Sequence, residues 1–226
     1  MKVLIVYDSK TGHTEKMSLA VAKGVKQVKG VRVEVKKVDF GKVMWRMRAL
    51  INAEIDMIRK GLSHTKNIDY YAAVAEFTAP YTLKVGEETI KSKMIILGAG
   101  SKPTIPLIKG IENVGYHTSD TVLTMNRLPE SVAIIGGGYI AAEYGHFFSA
   151  MGSKVTIIGR TPQFLPDEEP EVSALAKREL QKHMTIFTNH EVREAEKTET
   201  GMKKLIAVNR ENRETIEIAA QEILVA

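Results

Sequence analysis

The 226-residue sequence contains no cysteine. Disulfides, dithiol redox centres, thiolate nucleophiles and cysteine zinc sites are therefore excluded from this polypeptide. Long apolar runs are also missing, because the longest nearly apolar stretch, residues 132–142, is well short of the ~20 residues of a membrane-spanning helix. The first residues carry no signal-peptide pattern. These features predict a soluble, cytoplasmic protein without a membrane span.

Charge of one sign is not concentrated in any part of the chain. The 32 Lys and Arg exceed the 27 Asp and Glu by five, and the basic residues are spread along the sequence. We therefore expect no nucleic-acid partner. The six histidines show no metal-ligand spacing, so no metal site is predicted. The 44% hydrophobic content supports a packed core, and the length predicts one or two domains.

Hydrophobic periodicity predicts alternating strands and helices. An apolar run over residues 3–7, helical spacing over 17–28 and alternation over 31–35 predict a βαβ unit. Residues 43–58 predict an amphipathic helix, and residues 93–97 predict a buried strand. Further strands are predicted over 131–135, 154–158, 184–187, 204–209, 215–218 and 223–226, and further helices over 140–151 and from Pro170.

The strongest chemical signal is the glycine-rich turn that follows the strand over 131–135. Gly136, Gly138 and Ala141 fit the G-x-G-x-x-G/A pattern, and a helix and the strand over 154–158 follow in the required order. The first glycine permits a tight turn, the second lets a pyrophosphate approach the backbone, and the small third residue lets the helix pack closely. An ordinary glycine-rich turn is the alternative interpretation. The predicted dinucleotide contacts are Gly136, Gly138, Tyr139, Ile140 and Ala141.

The choice between NAD and NADP depends on the end of the second strand of this unit. An acidic residue there binds the ribose hydroxyls of NAD, but this sequence has Gly159 followed by Arg160. A guanidinium suits a 2′-phosphate through charge-assisted, bidentate hydrogen bonds. The sequence therefore favours NADP over NAD, with a solvated strand-end arginine as the alternative.

Several segments between residues 39 and 226 share a pattern with one known family. They are residues 98–103, 105–106, Gly110, 128–131, 136–143 and 222–226. Together they resemble the flavin-dependent pyridine nucleotide-disulfide oxidoreductases, the group of dihydrolipoamide dehydrogenase, glutathione reductase and mercuric reductase. The resemblance implies that Gly100 and Ser101 lie at the junction with an FAD site. It also implies that Glu143 approaches the nicotinamide or flavin edge.

The chain also departs from that family. Its members begin with their own G-x-G-x-x-G for FAD and a cysteine pair, and they continue beyond the equivalent of Ala226 with a flavin segment and a dimerisation domain. None of these is found here, so we expect no classical disulfide reduction. Electrons would pass from the flavin directly to a quinone, to oxygen or to a protein, and the sequence does not identify which of these is the acceptor. We expect an exposed sheet edge where these segments are missing, and a second copy of the chain, as in a homo-oligomer, or a partner subunit to cover it.

The first 38 residues instead resemble the start of a flavodoxin-like protein. The loop from Tyr7 to Glu15 takes the place of the segment that holds the FMN phosphate. Hydroxyl groups and backbone N–H groups at a helix N-terminus are suited to bind a phosphate. Turn and helix-cap roles are the alternative for the same residues. The predicted contacts are Ser9, Thr11, Gly12 and Thr14.

These observations predict an α/β protein with two Rossmann-like, three-layer nucleotide-binding units of the FAD/NAD(P)-binding fold. Residues 1–126 are predicted as a hybrid flavin-type domain, with a flavodoxin-like βαβ unit over 1–38, and residues 127–226 as an NAD(P)-binding domain. The leading hypothesis is a flavin-dependent NAD(P)H oxidoreductase that transfers a hydride from NADPH to FAD or FMN without a cysteine relay. The alternatives are a catalytically inactive nucleotide-binding module and an FMN-binding, flavodoxin-like carrier. No catalytic side chain is assigned.

Overall fold

The computed structural model describes residues 2–7, 13–29 and 32–226, and the chain divides into two compact units. The first comprises Met1–Arg46 and Pro103–Ala226, and the second comprises Met47–Lys102. Helices alternate with parallel strands in the first unit, which confirms the predicted α/β class. The domain boundary near residue 126 stays a prediction.

The chain begins with a strand, a helix and a second strand, as the periodicity predicts. Strand β1 (Lys2–Tyr7) pairs in parallel with β2 (Arg32–Lys37), with helix α1 (His13–Lys26) between them in sequence. Helix α2 (Phe40–His64) contains the predicted helix over 43–58; it begins in the first unit and continues into the second.

The second unit contains a small antiparallel sheet of three strands. They are β3 (Ala75–Ala79), β4 (Thr82–Val85) and β5 (Glu88–Lys91), with β4 in the middle. Gly86 has φ = 62° in the tight turn between β4 and β5, a conformation that favours glycine. The apolar spacing over residues 68–93 predicts short strands with a turn at Gly86, and the structure confirms both.

The predicted buried strand over residues 93–97 is wrong. This segment has no regular secondary structure, and Met94, Ile96 and Leu97 are 76%, 89% and 74% exposed. A strand needs a neighbour for its backbone hydrogen bonds, and no strand pairs with this segment in the described parts of the chain. The apolar run alone is therefore insufficient to bury it.

The remaining elements build the larger part of the first unit. They are α3 (Ile111–Val114), β6 (Ser131–Ile135), α4 (Tyr139–Met151), β7 (Lys154–Ile158), α5 (Pro170–Leu180), β8 (Thr185–Phe187), β9 (His190–Lys197), β10 (Lys203–Asn209), β11 (Thr215–Ala220) and β12 (Glu222–Val225). Four strands form a parallel sheet in the order β12-β6-β7-β8, and β9, β10 and β11 form an antiparallel sheet with β10 in the middle.

The parallel sheet is buried on both faces. Ala133, Ile135 and Ile158 point towards the antiparallel sheet and share a core with its Leu205. Ile157 points the other way and packs under α4. Continuous burial explains why β6 and β7 are apolar at almost every position rather than alternating. It also produces the three layers that the sequence predicts for this part of the chain.

Local signals determine where the two long helices of this region begin and end. Gly152, with φ = 117°, ends α4, and its N–H donates to the carbonyl oxygens of Phe148 and Ser149. Pro170 occupies the first turn of α5, where its missing N–H has no cost. Phe148 is buried and contacts the rings of Phe147 and Phe40, so it joins α4 to the start of α2.

Candidate functional site

Ala226, the residue that follows β12, packs against the glycine-rich turn after β6. Gly136 has φ = 144°, and a Cβ built on it would lie 2.0 Å from the carbonyl oxygen of Ala226. The N–H of Ala226 donates to the carbonyl oxygen of Ile135 at 2.9 Å, and that of Gly136 donates to Ile158 at 2.9 Å. No side chain fits at position 136, so the tight turn depends on glycine.

The second glycine of the turn opens a space in front of α4. Gly138 precedes the helix in an extended conformation, without a side-chain cap, and a Cβ built on it meets nothing within 4 Å. The first-turn N–H groups of an α-helix, here those of Tyr139, Ile140 and Ala141, have no acceptor within the helix. Free donors, the positive end of the helix dipole and open space together fit a pyrophosphate group.

Two small residues on α4 let the helix approach the sheet. Ala141 is fully buried, as the fingerprint requires of its third position. One turn later, a Cβ on Gly145 would lie 2.9 Å from Cδ1 of Ile157 and 3.2 Å from Sδ of Met184. Gly145 has no part in the sequence prediction, although its spacing of four from Ala141 places both small residues on one helix face.

The loop after β7 packs tightly against the same turn. A Cβ on Gly159 would lie 3.3 Å from Cα of Gly137, and the N–H of Leu165 donates to the carbonyl oxygen of Gly137 at 2.7 Å. A side chain at position 159 would therefore require a small shift of the backbone at Gly137. The exposed Arg160 follows directly, next to the turn.

Glu143 is exposed on α4, one turn after the exposed Tyr139. Its carboxylate acts on the neighbouring Tyr144. Burial raises the pKa of the Tyr144 phenol, and the negative charges of Glu143 and Asp120 raise it further. Glu143 is thus accessible to a ligand, and its predicted contact with a nicotinamide or flavin edge stays a prediction.

The structure describes only some of the residues that are predicted to hold a flavin. Gly100 and Ser101 lie in an exposed segment of the second unit, and Gly100 has φ = 69° with nothing within 4 Å of a built Cβ. Ser9, Thr11 and Gly12 lie outside the described residues. Thr14 belongs to the first turn of α1, but its side chain also lies outside them. The FMN and FAD contacts stay predictions.

Residues 2–7, 13–29 and 32–226 contain no cluster of three His, Asp or Glu placed to hold a metal ion. Nor do they contain a helix long and apolar enough to span a bilayer.

The parallel sheet, the glycine turn and the helix behind it define a Rossmann-like FAD/NAD(P)-binding fold. The family model described as pyridine nucleotide-disulphide oxidoreductase matches residues 1–226. The chain belongs to this family, which confirms the resemblance found in the sequence. The family consists of flavin-dependent oxidoreductases and uses FAD and NAD(P)H.

Individual relatives agree with this assignment. The chain is 31% identical over 159 residues to a mercuric reductase of Staphylococcus aureus, across 70% of this chain and 28% of that protein. It is 37% identical over 128 residues to the chloroplastic dihydrolipoyl dehydrogenase 2 of Arabidopsis thaliana, across 54% of this chain and 22% of that protein. The chain thus spans about a quarter of the length of these curated relatives.

A solved structure supports the fold over the whole chain. The HOCl-induced flavoprotein disulfide reductase RclA of Escherichia coli superimposes with a TM-score of 0.74 at 23% identity, over 100% of this chain and 56% of that one. At this identity the likeness concerns the fold.

Proposed function

We propose that this chain binds NADPH at the turn from Gly136 to Ala141 and delivers its hydride to a flavin without a cysteine relay. The observation that carries the proposal is the cradle at the start of α4. Gly136 admits no side chain, Gly138 leaves open space, and the helix presents free N–H donors to that space. Family membership supports a nicotinamide nucleotide as the occupant.

Each residue of the cradle has a separate task in this proposal. The backbone of Gly138 and the first turn of α4 bind the pyrophosphate. Ala141 and Gly145 hold the helix close to the sheet, so that its N-terminus stays in position. Arg160, next to this turn and without a neighbouring acidic residue, binds the 2′-phosphate and selects NADPH.

The redox chemistry belongs to the cofactors. Bound NADPH supplies a hydride, which the flavin of the family accepts. The 226 residues contain no cysteine to carry electrons further, so we propose direct transfer from the flavin to a quinone, oxygen or a protein acceptor. The flavin contacts proposed for this chain are Gly100, Ser101, Ser9, Thr11, Gly12 and Thr14.

Calorimetric titration of the full chain with NADPH and NADH tests the nucleotide site. We expect tighter binding of NADPH, and a loss of about tenfold in NADPH affinity for Arg160→Ala with NADH affinity nearly unchanged, because a charge-assisted phosphate contact disappears. Arg178→Ala, an exposed arginine on α5, is the matched control. Equal affinities for the two nucleotides in the unaltered chain would contradict the NADPH preference, and no binding of either would contradict the site.

A second candidate function is a nucleotide-binding module without catalysis of its own. The exposure of residues 98–101 in the second unit favours it, because such a segment does not enclose a flavin by itself. Absorbance after incubation with FAD or FMN, followed by NADPH consumption with a dye acceptor, separates the two candidates. Bound flavin with turnover supports the oxidoreductase. Nucleotide binding without flavin or turnover supports the module.

A further inference from the structure

A polar cavity lies on the antiparallel sheet of the first unit, apart from the glycine turn. Its volume is about 420 Å³, and it is lined by Asn189, Glu191, Arg193, Arg210, Glu211 and Arg213. Three of these six residues are arginines. Two of them, Arg210 and Arg213, come from the turn that connects β10 to β11.

Hydrogen bonds attach this turn to the loop after β7. The N–H of Arg210 donates to the carbonyl oxygen of Asn189 at 2.8 Å, and the N–H of Asn189 donates to that of Thr161 at 2.7 Å. The guanidinium of Arg210 reaches further, because its Nη1 donates to the carbonyl oxygen of Arg160 at 3.1 Å. Arg210 is thus in direct contact with the backbone of the residue proposed to select NADPH.

The β10–β11 turn is held in one shape by its own polar side chains. Oδ1 of Asn209 accepts the N–H groups of Glu211 and Asn212 at 2.9 and 3.3 Å. Asn212 in turn accepts the N–H of Glu214 and donates to its carboxylate. The backbone that carries the two arginines is therefore already ordered before an anion binds.

The charges around the cavity are not balanced. Arg193 is held by Glu191 at 2.6 Å, so these two charges offset each other. Arg210 and Arg213 form no ion pair with a described carboxylate, and neither does Glu211, the remaining acidic residue of the lining. Two guanidinium groups and one carboxylate of the lining therefore remain outside ion pairs between described residues, and the net positive charge favours an anionic ligand.

We propose that Arg210 and Arg213 bind the 2′-phosphate of NADPH together with Arg160. In this fold the residues after the second strand of the unit, here β7, approach the ribose of the adenosine. A phosphate monoester carries nearly two negative charges and three acceptor oxygens, which suit more than one guanidinium. The inference rests on the proposed NADPH site and adds specificity-determining residues from a turn 50 positions later in the sequence.

The test compares ligands with and without the 2′-phosphate, by calorimetry on the full chain. The pairs are NADPH with NADH, and adenosine 2′,5′-bisphosphate with adenosine 5′-monophosphate. We expect Arg213→Ala to weaken the two 2′-phosphorylated ligands by about tenfold and the other two by less than about twofold. Arg210→Ala is expected to act in the same way, with an added loss from its contact with the Arg160 backbone.

Control variants separate a specific contact from a change in overall charge or fold. The double variant Arg178→Ala, Lys182→Ala removes two exposed positive charges, one on α5 and one just after it. We expect this variant to leave all four affinities unchanged. Arg213→Lys keeps the charge without the planar fork, so an intermediate loss is expected. This variant keeps the test open if Arg213→Ala fails to fold.

Three results would overturn the inference while leaving the NADPH site standing. The first is an unchanged preference for the 2′-phosphorylated ligands in both alanine variants, and the second is an equal loss of affinity for all four ligands. The third is that Arg213→Ala abolishes binding of inorganic phosphate but leaves NADPH affinity unchanged, which would assign the cavity to a free anion. Failure of the unaltered chain to bind either dinucleotide would instead remove the proposed function, and this inference with it.

Discussion

Apolar residues recur in both the region from β6 to β12 and the second unit, but they are mostly buried in the first and mostly exposed in the second. Val132, Ile134 and Ile157 are buried in the first region, because α4 and the antiparallel sheet cover both faces of the parallel sheet. In the second unit, Ile55 lies on the apolar stripe of an amphipathic helix and Ile96 lies in an apolar run, and both are exposed. An apolar pattern therefore leads to burial only where another part of the chain supplies the covering surface.

The largest expected effect distinguishes two glycines with positive φ, one from each region. Gly136→Ala places a Cβ against the carbonyl oxygen of Ala226, so we expect it to destabilise the protein by about 3 kcal/mol or more and to abolish NADPH binding. Gly100→Ala meets nothing within 4 Å, so only the backbone cost of about 1 kcal/mol remains. Thermal unfolding and calorimetry measure both effects.

Equal losses for these two variants would contradict the expected difference. They would mean that the contact of a Cβ at position 136 with Ala226 adds nothing to the backbone cost of a positive φ, which is 144° at Gly136 and 69° at Gly100.

A smaller effect is expected from removing one isoleucine in each region. Ile134 is 0% exposed, so Ile134→Ala leaves a cavity and is expected to cost about 2–5 kcal/mol. Ile55 is 39% exposed on α2, and alanine has the higher helix propensity, so Ile55→Ala is expected to stay within about 1 kcal/mol of the unaltered chain. Urea unfolding measures both. A loss of several kcal/mol for Ile55→Ala would show that its helix face is covered in solution.

The smallest effect concerns two tyrosines with raised pKa values. Burial is the main cause for Tyr144, whereas the charge of Glu88 is the main cause for the Tyr71 phenol, which lies at the surface. Salt at about 1 M reduces the Debye length to ~3 Å, so we expect it to lower the pKa of Tyr71 and to leave most of the shift at Tyr144. Tyrosinate absorbance during alkaline titration, compared with Tyr71→Phe and Tyr144→Phe, measures both pKa values. Equal salt sensitivity would contradict this distinction.

The raised pKa of Tyr144 also sets the sign of a stability change. The folded state favours the protonated phenol, so its contribution is complete below the unfolded pKa of ~10 and is lost as the pH rises through the higher folded pKa. Tyr144→Phe is therefore expected to flatten the alkaline decrease in thermal stability. An unchanged decrease would assign the effect to other groups.

The fold from β6 to β7 is predictable from the sequence because its signals are local. The apolar strand, the glycine turn, the periodic helix and Gly152 follow one another within 131–158, and each agrees with the next. Strand β9 is missed, because its buried residues Val192 and Ala195 are three apart. The register shift between Ile206 and Ala207 of the neighbouring β10 accommodates that break in the period of two.

The parts of the site that the sequence does not predict all depend on distant contacts. Gly136 is recognisable as a turn residue, but its contact with Ala226 appears only when β12 lies beside β6. Arg210 belongs to an ordinary polar turn until the pairing of β9 with β10 brings it to Arg160. Residues 93–97 have no pairing strand among residues 2–7, 13–29 and 32–226, and a local prediction of burial is therefore wrong.

The pairing of β12 with β6 has a consequence for the order of folding. It places Glu222 opposite Val132, so the sheet joins residues 90 positions apart before the glycine turn is complete. The conformational entropy of the intervening segment opposes this pairing, because its ends must meet before the contacts contribute. We therefore expect the nucleotide cradle to be among the last parts of the sheet to assemble, which pulsed hydrogen exchange during refolding would measure. A dinucleotide bound there would stabilise the pairing of β12 with β6.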